Sequence, residues 1–227
     1  MGRAIALRLA EAGFDIALTY LTSQDDAQKL SDEIMRLRRT ALAIQADLTR
    51  PEEAAETIVS AVTGRWDRLD VLVNNASIFE LDEPEDALGQ LRRMMAIHSE
   101  SPMLLCNQLE AHLRKASGRI VNMVDLLAER PWPSYSAYSA SKSALLSLTR
   151  SLARRLAPNV TVNGIAPGVV EWPQGFPEDQ RQKYLGRVPL ARVGSPQDVA
   201  SLVHFLATDG SYITGQIIRL DGGRSLT

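Results

Sequence analysis

The chain has 227 residues, 45% of them hydrophobic, which suits one α/β domain with a full-sized core and calls for no second domain. A formal charge of −2 leaves no basic footprint for nucleic acid or an anionic membrane, and the apolar runs are too short to span a bilayer. No signal-peptide pattern opens the chain, and its one cysteine, Cys106, cannot form an internal disulfide, so a cytoplasmic location is expected. Cys106 lies in an apolar helical run and reads as a structural thiol.

In chain order, Gly2 to Ala12 reads as a helix with Ile5, Leu9 and Ala12 on one stripe and Gly13 as its stop. Asp15 to Tyr20 is a short β-prone run, Asp25 to Arg38 returns to helical spacing, and Ala41 to Ala46 is the next strand. Pro51 to Thr63 follows as a helix with proline in its first turn, then a strand over Asp70 to Asn74, one long helix around Leu88 to Lys115, and a strand over Arg119 to Asp125. After a helix that carries Tyr138 comes a strand over Val160 to Ala166. Gly168 to Leu190 breaks the rhythm, and its Pro173, Pro177 and Pro189 predict a loop with at most short helical pieces. Pro196 to Ala207 is a helix entered from Ser195, and Gln216 to Leu220 is a closing strand before Asp221-Gly222-Gly223. Alternating strands and helices of these lengths predict a parallel sheet built from βαβ units.

The chemistry concentrates in Pro133-Ser134-Tyr135-Ser136-Ala137-Tyr138-Ser139-Ala140-Ser141-Lys142. Residues four apart share one helix face, so the Lys142 ammonium can approach the Tyr138 phenol. A free phenol has a pKa of about 10, and a nearby cation would stabilise the phenolate and lower that value. Tyr138 is thereby a candidate general acid or base. A surface lysine one turn from a half-buried tyrosine is the competing explanation of the spacing.

With Asn74-Asn75-Ala76 ending one strand, Gly118 to Asp125 forming another and Asn163-Gly164-Ile165-Ala166-Pro167-Gly168 ending a third, the chain resembles the short-chain dehydrogenase/reductase family over its whole length. The resemblance implies a single Rossmann-type, doubly wound parallel sheet over residues 1–227, a nicotinamide cofactor and a homotetramer with the Pro196 helix and the closing strand in one interface. It also implies a first strand and glycine-rich turn ahead of the Gly2 helix, and both are missing here. Gly2 looks like the last glycine of that turn. A chain start internal to the true reading frame is therefore expected, with a shortened, inactive protein as the alternative. Loss of that strand should leave the strands ending at Tyr20 and Asn74 without a shared partner.

For the cofactor, the position that would hold a ribose-binding acid reads Thr19-Tyr20-Leu21-Thr22-Ser23. No acid repels a 2′-phosphate there, and the Thr22 and Ser23 hydroxyls can donate to one, so NADP(H) is expected. A basic partner would come from the missing turn or from Arg3. By resemblance, Gly2 packs at the pyrophosphate turn, Asp47 and Leu48 border the adenine, and Asn74, Ala76 and Ser77 follow the cofactor. Tyr138 and Lys142 meet the nicotinamide ribose, and Pro167 and Gly168 cover the nicotinamide. No metal is expected.

Most members of the family carry a serine about thirteen residues before the tyrosine; here it is Asp125. Asn122-Met123-Val124-Asp125 with Arg130-Pro131 is similar to the pteridine reductases, in which an Asp and the Tyr together serve a pterin ring. A carboxylate accepts from amino or ring N–H groups where a ketone offers none. Phe79 in Asn75-Ala76-Ser77-Ile78-Phe79 would stack on the pterin, and Trp172 would line the site. Asp125 as a turn cap, and Phe79, Trp132, Trp172 and Phe176 as local packing, stand as alternatives. His98 takes the place of an asparagine usual in the family; Ala96-Ile97-His98 is similar to the dihydromonapterin reductase branch, and a satisfied helix histidine is equally compatible. The expected function is NADPH-dependent reduction of dihydropterins, with Asp125, Tyr138 and Lys142 catalytic. A 3-oxoacyl carrier or other carbonyl reductase, or a non-catalytic relative that lost its cofactor, are the alternatives.

Overall fold

The computed structural model describes residues 1–172 and 175–227. Pro173, one of the prolines that predicted a loop, lies outside the described residues. Helix α1 (Gly2–Glu11) buries Ile5, Ala6, Leu9 and Ala10 and stops at Gly13, whose φ of +98° disfavours any side chain. Strand β1 (Ile16–Tyr20) crosses through α2 (Gln24–Arg36) to a parallel β2 (Ala41–Gln45). Helix α3 (Pro51–Arg65) leads to β3 (Val71–Asn74).

The long helix predicted around Leu88 to Lys115 is instead three: α4 (Ala87–Met95), α5 (Ser101–Gln108) and α6 (Glu110–Ala116), with a π-helical turn over Ala96–Glu100 between the first two. Pro102 has no N–H to give to the carbonyl four residues back, that of His98, and the Ser101 N–H reaches back five residues to Ala96. The extra residue per turn follows from that missing donor. Beyond lie β4 (Arg119–Met123), α7 (Ser136–Leu156), β5 (Thr161–Pro167), α8 (Glu178–Leu185), α9 (Pro196–Thr208) and β6 (Ile217–Leu220). Helix α8 is the short piece anticipated inside Gly168 to Leu190. A capping box formed by Ser195 and Asp198 starts α9.

All strand pairs are parallel, and they form two groups, β1-β2 and β3-β4-β5-β6. Between the groups, β1 and β3 line one cavity of about 1280 Å³. The open place expected in the middle of the sheet is there. Helices cover both faces: α1 and α9 pack with β4 and β5 on one side, and α3, α5, α6 and α7 on the other. Among the described residues no helix is long and apolar enough to cross a membrane.

Hydrogen bonds tell which backbone groups face the break. Ile16 N–H donates to Thr40, and Tyr20 C=O accepts from Ala46, so even-numbered residues of β1 turn toward β2. Asp70 C=O accepts from Arg119, so even-numbered residues of β3 turn toward β4. By alternation, the N–H and C=O groups of Ala17, Thr19, Val71 and Val73 point into the cavity. Each such group costs about 1–3 kcal/mol unless water or another chain segment satisfies it. We therefore expect the amides of Ala17, Thr19, Val71 and Val73 to exchange with deuterium orders of magnitude faster than those of Leu18 and Leu72. Equal protection in a residue-resolved exchange experiment would show that the two edges are paired in solution.

Candidate active site

Helix α7 presents Tyr138 and Lys142 on one inward face, 4% and 2% exposed. Its first turn is held from a distance: Asp82 accepts from the backbone N–H groups of Ser136 (2.9 Å) and Ala137 (3.2 Å) and from the Ser136 hydroxyl. One turn in, the Lys142 ammonium donates to the Met123 carbonyl at the end of β4 (2.8 Å). Burial lowers the Lys142 pKa to about 8, against the opposing pull of Asp125.

The Tyr138 hydroxyl donates to Asp125 Oδ2 at 2.9 Å. Asp125 Oδ1 accepts from the Leu127 N–H at 2.8 Å, starting a short 3₁₀ turn. The turn cap and the site residue are thus one and the same carboxyl group, each role using one oxygen. Burial raises the Asp125 pKa, opposed by the Leu127 N–H, the Tyr138 hydroxyl and the Lys142 charge. Burial first, then the charge and hydrogen bond of Asp125, hold the Tyr138 phenol well above its ordinary value. The expectation that Lys142 lowers it is corrected here. The ammonium stands 5.7 Å from the ring centre and is spent on the Met123 carbonyl, while the carboxyl is in direct contact. The phenol therefore serves here as the donor of the bond to Asp125.

Phe79 stacks on Tyr135 (4.4 Å between centroids, 11° between planes) and meets Tyr138 edge-on at 4.8 Å. Trp132 in turn meets the edge of Tyr135 at 5.8 Å. Local packing and an aromatic wall are both realised, since Phe79 covers one face with Tyr135 yet stays 41% exposed. Trp172 joins a different cluster. It stacks on Phe176 (5.0 Å) and meets Tyr184 edge-on (5.4 Å), and Tyr184 Oη accepts from the Val169 N–H just after β5. Among the described residues its aromatic neighbours do not include Phe79.

The residues assigned to a cofactor gather at the C-terminal ends of the strands. A β-carbon on Gly2 would lie 2.8 Å from Asn75 Nδ2, at the tip of a side chain that can move aside, so α1 starts in close contact with the residue after β3. Asn75 Oδ1 is buried with no hydrogen-bond partner among the described residues. Gly168 donates its N–H to Leu220 at 3.0 Å, and a β-carbon there would come within 3.1 Å of Asp221 and of Tyr184 Oη. Thr22 and Ser23 are exposed after β1, and Ser23 opens α2 without a side-chain cap bond. An orphaned amide oxygen, a close-approach glycine at 168 and free hydroxyls fit a dinucleotide.

Other assignments are narrowed. Arg3 Nη2 donates to both carboxylate oxygens of Glu33 (2.7 and 2.6 Å) in an exposed pair. Asp47 turns its carboxylate to Thr49, which holds its pKa below the usual range, and the Leu48 carbonyl accepts from Ser101. Asn74 donates to Asn122 Oδ1 (2.7 Å), the residue opposite it on β4, so its side chain braces the sheet. Ala76 and Ser77 lie exposed beyond β3, with the Ser77 hydroxyl at 2.9 Å from His98. Pro167 ends β5 opposite Leu220.

Asp82, Tyr135 and Gln90 were invisible in the sequence. Gln90 ties the same loop, donating to the Leu81 carbonyl (2.7 Å) and accepting from the Glu83 N–H (3.0 Å). An N-cap signal is read from adjacent residues, and the cap of α7 is 54 residues away in the chain.

A model of the enoyl-(acyl carrier protein) reductase family matches residues 1–225. The 3-oxoacyl-acyl-carrier-protein reductase of Staphylococcus epidermidis is 33% identical over 98% of this chain and 93% of its own length. The dihydromonapterin reductase of Klebsiella pneumoniae is 37% identical over 82% of this chain and 78% of its own. Among solved structures, a blue fluorescent protein from a metagenomic library, in complex with NADPH, superposes with a TM-score of 0.91 at 35% identity over 99% of this chain and 93% of that one. The acetoin dehydrogenase of Enterobacter cloacae superposes with a TM-score of 0.88 at 33% identity over 99% and 91%. With one family model spanning nearly the whole chain, relatives above the thirty per cent level and a parallel α/β sheet that ends in a Tyr138–Lys142 pair, the chain belongs to the short-chain dehydrogenase/reductase family.

Proposed function

We propose that the chain reduces dihydropterins at the expense of NADPH. The observation that carries this reading is the 2.9 Å contact between Tyr138 Oη and Asp125 Oδ2. A carboxyl group there can accept from pterin N–H groups, and in its neutral form it can hand a proton to a ring nitrogen. Phe79, half exposed beside that contact, supplies an aromatic surface for a flat heterocycle. When bound, the nicotinamide supplies hydride. Thr22 and Ser23 would take the 2′-phosphate, and Gly2 with the start of α1 would lie at the pyrophosphate, where unpaired helical amides favour an anion. Lys142 would hold the ribose, Gly168 would admit the nicotinamide, and Asp125 with Tyr138 would place and deliver the proton. The similarity to a dihydromonapterin reductase supports the pterin, and the NADPH complex of a structural neighbour supports the cofactor.

Carbonyl reduction is the second reading, favoured by the similarity to 3-oxoacyl reductases over almost the full chain. NADPH oxidation measured with dihydrobiopterin or dihydrofolate, and with acetoacetyl thioesters, separates the two. Turnover of the thioesters alone overturns the pterin assignment.

Tyr138→Phe keeps the ring edge against Phe79 and removes the acid. Turnover should fall roughly 100-fold or more, with NADPH affinity nearly unchanged in a fluorescence titration. Near-normal turnover would exclude Tyr138 as the donor. Asp125→Ser exchanges an acceptor for a hydroxyl that can donate to a carbonyl oxygen. Steady-state rates on both substrate types should show pterin reduction dropping and any ketone reduction rising; unchanged pterin activity removes the main support for the assignment.

A further inference from the structure

His98 stands inside the π-helical turn, 1% exposed, with its ring edge-on to Tyr138 at 5.4 Å between centroids. Each ring nitrogen has partners. Nε2 lies 3.2 Å from the backbone N–H of Ile78 and 2.9 Å from the Ser77 hydroxyl; Nδ1 lies 2.8 Å from the Ser141 hydroxyl.

These contacts permit one arrangement of protons. A backbone amide can only donate, so Nε2 keeps its lone pair and accepts from Ile78. The single ring proton then sits on Nδ1 and donates to Ser141 Oγ, whose own proton goes to the Tyr138 carbonyl at 2.7 Å. An imidazolium would set a second N–H against the Ile78 amide. It would do so at a ring only 1% exposed and close to the Lys142 ammonium, with the Tyr138 hydroxyl committed to Asp125. Burial, and then the Lys142 charge, push the His98 pKa down to about 2.

The partners belong to different parts of the site. Ser77 and Ile78 lead directly into Phe79, and Ser141 lies on α7 between Tyr138 and Lys142. We propose that His98 is a positioning residue: as a neutral imidazole protonated on Nδ1, it clamps the loop that carries Phe79 to the helix that carries the proton donor. It thereby holds the Phe79 ring at its near-perpendicular 4.8 Å stance against Tyr138. The ring does this from inside the π-helical turn, where it reaches Ser77 and Ile78 on one side and Ser141 on the other. The significance of the clamp for substrate rests on the reductase reading; the proton arrangement does not.

Two measurements test it. In protein labelled with ¹⁵N-histidine, long-range proton–nitrogen spectra between pH 8 and 5.5 should show His98 as a neutral Nδ1–H ring throughout, with the signal identified by its loss in His98→Gln. An Nε2–H ring, or titration at an ordinary histidine pKa, overturns the proposal. The second measurement compares His98→Phe, which keeps a ring and loses every hydrogen bond, with His98→Gln. The Gln amide separates its oxygen and nitrogen much as imidazole separates its two nitrogens. The Ile78 amide should exchange with deuterium at least about tenfold faster in the Phe variant, the scale of one lost hydrogen bond, and return to near the parent rate in the Gln variant. KM for dihydrobiopterin should rise by a similar factor in the Phe variant while the Kd for NADPH stays within about twofold, with KM again recovered by Gln. If no pterin is turned over by the parent, the pterin assignment fails while the tautomer and the Ile78 exchange still decide the clamp. Should the Phe variant not fold, unchanged Ile78 exchange in Ser141→Ala or an unprotonated Nδ1 in the parent would each refute it.

Discussion

A buried ammonium organises the site end of this molecule. Lys142 is 2% exposed, so its charge must find partners inside the protein, and it takes the last carbonyl of β4 and the field of Asp125. A pKa near 8 in place of 10.5 corresponds to roughly 3 kcal/mol of cost for keeping that charge. The cost is offset by what the arrangement secures. The bond to Met123 fixes the azimuth of α7 over the end of β4, and that azimuth delivers Tyr138 to Asp125. Burial raises the pKa of Asp125 and of Tyr138 and lowers that of Lys142, while the Tyr138 hydroxyl and the Lys142 charge pull Asp125 back down and Asp125 pulls Lys142 back up.

Around this centre the backbone is divided, and side chains hold it together. Among the described residues no hydrogen bond of the sheet joins β1-β2 to β3-β4-β5-β6. One apolar cluster nevertheless runs from Ile5 and Leu9 of α1 and Ile16 of β1 to Val121 and Met123 of β4, Ile165 of β5 and Val199 of α9. On the opposite face Ile44 of β2 and Ile58 of α3 share a cluster with Ile120, Leu152 and Val162. Non-directional burial can bridge a gap that directional backbone bonding cannot. The division falls where α1, Asn75 and the residues after β1 come together, whereas Asp125, Tyr138 and Lys142 sit with β4 of the four-stranded group and with α7.

The segment around Phe79 is built from loops tied back to helices. Asp82 caps α7, Gln90 fastens the chain around Leu81 and Glu83, and His98 joins Ser77 and Ile78 to Ser141. Loops so fastened can carry an aromatic wall at a fixed stance. The Asp82 N–H also donates to the Ser134 carbonyl at 2.9 Å, so the chain between β3 and α4 is tied to the start of α7 through backbone as well as side chains.

Much of this was legible before any fold was known. Apolar periodicity and the placement of Gly13, Pro51 and Ser195 determined most elements to within a few residues, because these signals are local, but not the breaks that divide Leu88 to Lys115 into three helices. The four-residue spacing of Tyr138 and Lys142, and Asp125 thirteen positions earlier, determined which side chains meet, since a strand end followed by a helix brings them together. The empty place in the sheet was determined as well, by the absence of a strand that two others require. What only the tertiary structure decided depends on water and on distant partners. Tyr138 is raised where a cation alone would have lowered it, because burial and the Asp125 carboxyl outweigh an ammonium spent elsewhere. Arg3 is claimed by Glu33, thirty positions on, and Phe79 by Tyr135, across a loop whose anchors have no sequence pattern. The tautomer of His98 belongs here too, for a ring nitrogen's proton is assigned by whichever backbone amide the fold places against it.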